Sequence, residues 1–197
     1  GCAAKYVPSE RMRSLTKGGR SGVVVPNGFL FGDGVAARIK AQLLREFNLH
    51  TIIRLPNGVF APYTSIPTNL LFLDRPGTGS QQPGTMDIWF YEHVLPEGVK
   101  NYTKTRPLQV EEFQPILDWW DNRIENDRAW KVHAADVIQT NGNGDVVSVN
   151  LDIKNPNRKE DLEHLPPGEL AESILAKEKQ IATIVEEIKS WLAKGRY

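Results

Sequence analysis

The chain has 197 residues, 40% of them hydrophobic and 24% charged, with 24 Lys and Arg balanced by 24 Asp and Glu. This suits one soluble domain with or without an appendage, and zero net charge excludes a uniformly basic nucleic-acid coat protein and an acidic disordered tail. Cys2 stands alone and cannot close an internal disulfide, no apolar run approaches the roughly 20 residues of a membrane span, and no stretch has a secretory leader's pattern, so a cytoplasmic setting without a membrane is expected.

The neutral total hides a gradient. Residues 1–60 carry nine basic and three acidic side chains, and residues 111–150 carry three basic and eight acidic. Either the first sixty residues face an anion, or surface charge has segregated by chance.

In chain order, Ser9 to Thr16 reads as the tail of a helix closed by Lys17-Gly18-Gly19. Val23-Val24-Val25, between Gly22 and Pro26, reads as a buried strand. Asp33 is the expected N-cap of an amphipathic helix over 34–47, with Val35, Ile39, Leu43 and Phe47 on the apolar face and Arg38, Lys40 and Arg45 on others. Leu49 to Leu55 is a second strand, so strand, helix and strand predict a parallel pair. Asn69 to Leu73 is a third strand. The loop before it has no room for a crossover helix, so it should run antiparallel to the second. Pro76 to Gly84 reads as a mobile loop, and Asp87 to Glu92 as an aromatic strand.

Beyond Pro96 the texture changes. Val110 to Arg123 predicts a helix with Phe113, Ile116, Leu117 and Trp120 on one face, and Pro115 marks either a kink or a late start. Asn141 to Gly144 is a turn before a short strand, Val146 to Val149. Leu170 to Ala193 contains no Gly or Pro. Ile174, Ile181 and Ile188 repeat every seven residues, and Ile184 and Trp191 fill alternate positions that Lys177 interrupts. Such a helix is about 36 Å long. It either meets a partner helix or folds back on its own domain. The expected organisation is an α/β domain over 1–95, an irregular and helical extension over 96–157, and an assembly helix within 158–197.

The motifs divide unevenly. Gly32-Asp33-Gly34-Val35-Ala36-Ala37 fits the G-x-G-x-x-A dinucleotide fingerprint, but six residues separate it from the strand, and the second strand ends in Arg54 and Leu55 with no acid for a ribose. Glycines that open a helix explain it with less. His50, His93, His133 and His164 are scattered and no second cysteine exists, so no metal site or nucleophile constellation is expected. Carboxylates at 118, 121, 125 and 127 share a helix face in this reading, as solvated surface. Leu55 to Tyr63 places Phe60 and Tyr63 on a loop after a strand's carboxyl end, where open α/β sheets bind ligands. Those rings either stack on a planar heterocycle or plug the end of the sheet.

Gly-Gly-Arg-Ser-Gly-Val-Val-Val-Pro-Asn-Gly-Phe-Leu-Phe-Gly at 18–32, Asn48 to Phe60, and Thr68-Asn69-Leu70-Leu71-Phe72 together resemble one family. Asn101-Tyr102-Thr103-Lys104-Thr105, Trp119-Trp120 and Leu151 to Pro156 extend the match over about residues 10–195. The chain resembles the C-terminal half of the modification (methyltransferase) subunit of type I restriction–modification systems. That resemblance implies transfer of a methyl group from S-adenosylmethionine to the exocyclic amine of adenine in DNA, on a base flipped out of the duplex. It implies the C-terminal half of a Rossmann-like methyltransferase sheet plus a helical tail, with the strand at 20–26 fifth and those at 49–55 and 68–74 a terminal hairpin. The family's Gly-rich cofactor loop and Asn-Pro-Pro-aromatic motif precede this region in its chain and are not found here. A fragment inactive alone is the expectation, with a non-catalytic helical assembly module as the alternative. By the resemblance, Phe60 stacks on the flipped base, Asn27, Phe29 and Tyr63 line the cleft edge, and DNA, a specificity subunit and a restriction subunit are partners. The tail helix then meets the specificity subunit through Ile174, Ile181, Ile184, Ile188 and Trp191.

Overall fold

A computed structural model describes residues 15–77, 84–157 and 167–193. The expected helix tail before residue 15 and most of the Gly/Pro loop around residue 80 lie outside them. The chain divides into two units, one ending at Arg158 and the other beginning at Lys159.

The first unit is built on a five-stranded mixed sheet. Its strands are β1 (Arg20–Pro26), β2 (Asn48–Arg54), β3 (Thr68–Asp74), β4 (Asp87–Glu92) and β5 (Ala129–His133), in the order β1-β3-β2-β4-β5. Helix α1 (Val35–Glu46) joins β1 to β2. The predicted parallel pair does not form directly. β3 returns from the 55–67 loop, enters between β1 and β2, and hydrogen-bonds antiparallel to both. A single inserted strand thus satisfies the ladder groups of two neighbours. β4 then adds parallel to β2, and β5 antiparallel to β4.

Alternation along the strands explains the two layers. Leu71, Leu73, Ile88 and Phe90 point to one face and pack under α1, with Leu30, Val149 and Leu151 in the same cluster. Leu70, Phe72, Trp89 and Tyr91 point to the other face. They pack with Ile116 and Trp119 of α2 (Gln114–Trp120). A two-stranded ribbon, β6 (Ile138–Thr140) and β7 (Val146–Val149), covers part of α1's side.

Local expectations for both helices of this unit need correction. The helix N-cap is Gly34, at φ +64°, with no side-chain cap, while Asp33 forms a β-bridge to Ser148 of β7. The buried stripe of α1 is Ala37, Lys40, Ala41, Leu43 and Leu44, and Val35 is 68% exposed. The stripe shifts because Lys40, expected on a polar face, is fully buried. Its ammonium donates to the carbonyls of Leu30, Gly32 and Val149, which fastens the β1–α1 loop to β7. Burial lowers its pKa, and Asp33 opposes that shift.

The helix predicted over 110–123 is shorter. A 3-10 turn over Val110–Phe113 precedes α2, and Pro115 sits in α2's first turn, where its missing N–H costs nothing. Trp119 is buried where Leu117 is expected, and Leu117 is exposed. Because α2 ends at Trp120, the carboxylates at 121, 125 and 127 do not share its face. No group of three or more His, Cys, Asp or Glu among the described residues could hold a metal ion.

In the second unit, α3 (Pro167–Ala193) is a continuous 27-residue helix. Ile174, Ile181, Ile184, Ile188 and Trp191 are 53–75% exposed along it. Among the described residues no helix is long and apolar enough to cross a membrane.

Candidate functional site

The register aligns Pro26 with Thr68, Arg54 with Asn69 and Glu92, and Tyr91 with Ala129. The carboxyl ends of β1, β2 and β4 therefore share one edge of the sheet. Four segments gather there: the turn after β1, the 55–67 loop, the stretch after β4, and the stretch after β7.

The turn after β1 carries Asn27 and Phe29. The Asn27 amide N–H donates to the Pro67 carbonyl at 2.9 Å, and its side-chain oxygen accepts from Asn69 Nδ2 at 3.2 Å. Asn69 is 1% exposed, so its amide is fully committed to the protein interior. Phe29 is partly buried and packs against the core under α1. Asn27 is thus joined to the end of the loop that bears Phe60, and Phe29 leans inward from the same turn.

The 55–67 loop is a run of tight turns. Ala61 N–H donates to Gly58 O, and Tyr63 and Thr64 N–H both donate to Phe60 O. Val59 packs into the cluster under α2, while Phe60 is 40% exposed and Tyr63 92% exposed. Phe60 is an exposed ring on this loop. Tyr63 stands in solvent, and neither ring is plugged into the sheet end as a buried core residue.

Gly58 fixes this loop to the next segment. It adopts φ +82°, and a Cβ there would lie 2.2 Å from the carbonyl oxygen of Tyr102. Only glycine permits both the left-handed backbone and this approach. Tyr102 N–H also donates to Asn57 O at 3.4 Å. Tyr102 is itself an inward anchor, 2% exposed. Its hydroxyl donates to Glu112 and meets His93 Nε2 at 2.9 Å. The Tyr102 proton is used on Glu112, so His93 donates from Nε2. The His93 ring stacks on Phe113 and Tyr102.

The electrostatics follow from burial. Burial, then the hydrogen bond to Glu112 and its charge, push the Tyr102 hydroxyl far above its ordinary value. Burial by itself would raise the Glu112 carboxyl, yet Tyr102, the Gln109 amide, His93 and Arg106 together hold it below its usual range. His93 is lowered chiefly by burial, with Glu112 opposing and Arg128 assisting. A histidine held below its unfolded value binds its proton more readily in the unfolded chain. The stability it supports is present above the unfolded pKa of about 6.5 and is lost as pH falls through the folded value. His50 shifts in the same direction, again mainly by burial. Thermal melts should therefore show stability declining below about pH 6.5, by at most about 1.4 kcal/mol per pH unit for each histidine. His93→Gln should flatten that decline, and an unchanged pH profile would disprove the assignment.

The stretch after β7 closes the edge. Arg54 Nη2 pairs with Asp152 at 2.7 Å, and its guanidinium lies over Phe90 and Trp130, 5.9 Å from each ring centre. Asn155 Nδ2 donates to Glu92 at 3.3 Å and to Asp127 O at 2.7 Å. Sequence reasoning misses the Arg54–Asp152 pair and the His93–Tyr102–Glu112 cluster. The pair is 98 residues apart, and the cluster's neighbours are 9 and 10 apart on irregular segments. The Asn101–Thr105 and Leu151–Pro156 runs are the signals that mark them.

The Gly32–Ala37 stretch turns the Leu30 and Gly32 carbonyls onto Lys40, and β2 ends on an arginine already paired with Asp152.

This edge belongs to a fold with known relatives. The family described as N-6 DNA Methylase matches residues 10–162. The chain is 46% identical over 185 residues to the type I restriction enzyme EcoEI methylase subunit of Escherichia coli, covering 90% of this chain and 35% of that protein. It is 35% identical over 109 residues to the EcoKI methylase subunit of Escherichia coli strain K12, covering 53% of this chain and 20% of that one. A crystal structure of a modification subunit assigned to a type I restriction enzyme of Vibrio vulnificus YJ016 matches with TM-score 0.70 and 54% identity, over 78% of this chain and 32% of that one. A type I R-M structure described for complex assembly and conformational transition matches with TM-score 0.61 and 36% identity, over 94% of this chain and 38% of that one. The chain thus covers between 20% and 38% of the length of these relatives. Its fold is the mixed α/β, Rossmann-like fold of type I methyltransferase subunits.

Proposed function

Because the chain belongs to the N-6 DNA methylase family, we propose that it is part of a type I methylase subunit that methylates the exocyclic amine of adenine in DNA. S-adenosylmethionine is the methyl donor in this reading, held by parts of the subunit other than the described residues. This chain contributes a place for the flipped base and a helix for assembly. The reaction belongs in the cytoplasm, where DNA is reached.

One observation carries the reading: Phe60 projects half-exposed from a loop that packing holds rigidly at the carboxyl edge of the sheet. A base taken out of a duplex loses a few kcal/mol of stacking and pairing. An aromatic ring at that edge returns about 1–3 kcal/mol by stacking, without reading sequence. Asn27, whose oxygen is occupied by Asn69, keeps two N–H donors for a ring nitrogen of the base. Phe29 supports that turn from beneath, and Tyr63 flanks the opening. The test joins this chain to the N-terminal part of a methylase subunit and follows labelled methyl from S-adenosylmethionine into DNA. Label in N6-methyladenine is expected, and label absent from adenine would end the proposal.

The assembly role rests on α3. Its residues 174, 181, 184, 188 and 191 form an apolar stripe along the helix, and an apolar stripe of this kind is a surface for a partner helix. Its partner in this reading is a helix of the specificity subunit, which supplies sequence recognition, with the restriction subunit joining the same complex. Ile181→Ala should weaken capture of the specificity subunit about tenfold, the effect of one buried aliphatic anchor of about 1.4 kcal/mol. Equal capture by the variant would place the partner elsewhere.

A further inference from the structure

We propose that the turn from Lys100 to Arg106 is a clamp for the phosphate backbone of duplex DNA, beside the position where Phe60 takes the base. The inference deepens the base-binding reading of Phe60 and rests on it.

The first argument is charge. The chain is neutral overall, yet residues 98–110 carry Lys100, Lys104 and Arg106 and no acidic side chain. All three cations are exposed. None forms an ion pair within 4 Å with a described carboxylate. Arg106 acts on Glu112 through its charge without pairing within 4 Å, and that carboxylate is hydrogen-bonded by Tyr102 and Gln109. Glu97 and Glu111 lie outside the turn and are exposed. Surface cations without an ion-pair partner among the described residues, concentrated in one short turn, match a phosphate chain, because each phosphate they neutralise releases a condensed counterion.

The second argument is rigidity. Thr103 and Arg106 exchange backbone hydrogen bonds of 3.0 and 3.1 Å, and the Thr103 hydroxyl accepts a further bond from Arg106 N–H. The turn is thereby closed on itself with Lys104 and Thr105 at its tip. Tyr102 points inward from its base, bonded to His93 and Glu112, while the Tyr102 backbone seats against Gly58. Gly58 lies two residues from Phe60. The basic tip and the aromatic ring are therefore carried on two segments packed together where Gly58 meets the Tyr102 backbone. Phosphate contacts of this kind fix register on the duplex and carry no sequence information.

The experiment uses the full methylase assembly that contains this chain, with a fluorescent duplex bearing the target adenine. Affinity is measured across a salt series for the wild type, for Lys104→Gln/Arg106→Gln and for Lys131→Gln. The double variant should bind more weakly, with a plot of log affinity against log salt less steep by about 2, or about 1 for each phosphate no longer neutralised. Lys131 pairs with Asp87 away from this edge, and its variant should keep the wild-type slope. A double variant with the wild-type slope would overturn the clamp. The two readings fail separately: a reduced slope with methyl transfer unaffected by Phe60→Ala keeps the clamp and removes the base stacking. If the double variant melts below the wild type, Lys100→Gln/Lys104→Gln replaces it, with the same expected slope change and the same overturning result.

Discussion

Phe60→Ala is expected to slow methyl transfer to adenine by roughly 5- to 150-fold, the rate equivalent of about 1–3 kcal/mol of base–aromatic stacking. The loss should fall on the step that depends on the extrahelical base, since a stacking ring acts on the base once it has left the duplex. Tyr63→Ala is the internal comparison. At 92% exposure Tyr63 is fixed by little, so stacking on it forfeits side-chain entropy and gains less. Its substitution should change the rate by less than Phe60→Ala does. Phe60→Trp should retain most of the activity, since it keeps the π-face. The measurement is single-turnover incorporation of labelled methyl into a duplex with one target site. Equal rates for wild type and Phe60→Ala would remove Phe60 from the site, whatever the fold.

Gly58→Ala should be the most destabilising single methyl in the edge. The added Cβ would lie 2.2 Å from the Tyr102 carbonyl oxygen and 3.3 Å from its nitrogen, in a backbone at φ +82°. Left-handed strain and backbone overlap add, and neither can be relieved by turning a side chain. About 3 kcal/mol is expected, or roughly 6–12 °C in the melting temperature of a domain this size. Gly28→Ala is the matched control, since a Cβ there meets nothing within 4 Å. It should stay within about 0.5 kcal/mol of wild type. If Gly58→Ala melts with the wild type, the 55–67 loop is not seated on Tyr102, and the rigid link between Phe60 and the basic turn fails with it.

Lys40 and Tyr102 show why parts of the site are illegible in the linear chain. A lysine on a helix reads as solvated, and its burial depends on three carbonyls supplied by a loop and by a strand 109 residues away. Tyr102 sits in a marked run, but its partners His93 and Glu112 lie on separate segments with no common spacing. The acidic residues after α2 mislead for another reason: the helix stops at Trp120, where the chain turns under Arg123 and the shared face ceases to exist.

Local patterning by itself determined every strand of the main sheet up to Glu92, the helix between the first two, the long apolar-striped helix, and the placement of Phe60 after a strand's carboxyl end. Those features depend on alternation and on turn residues, which act over a few positions. Tertiary structure alone decided that β3 enters between β1 and β2, that Lys40 is interior, and that the Lys100–Arg106 turn is fixed to the Phe60 loop. Each is a pairing between segments far apart in the chain, chosen by which backbone groups and buried side chains can satisfy one another in three dimensions.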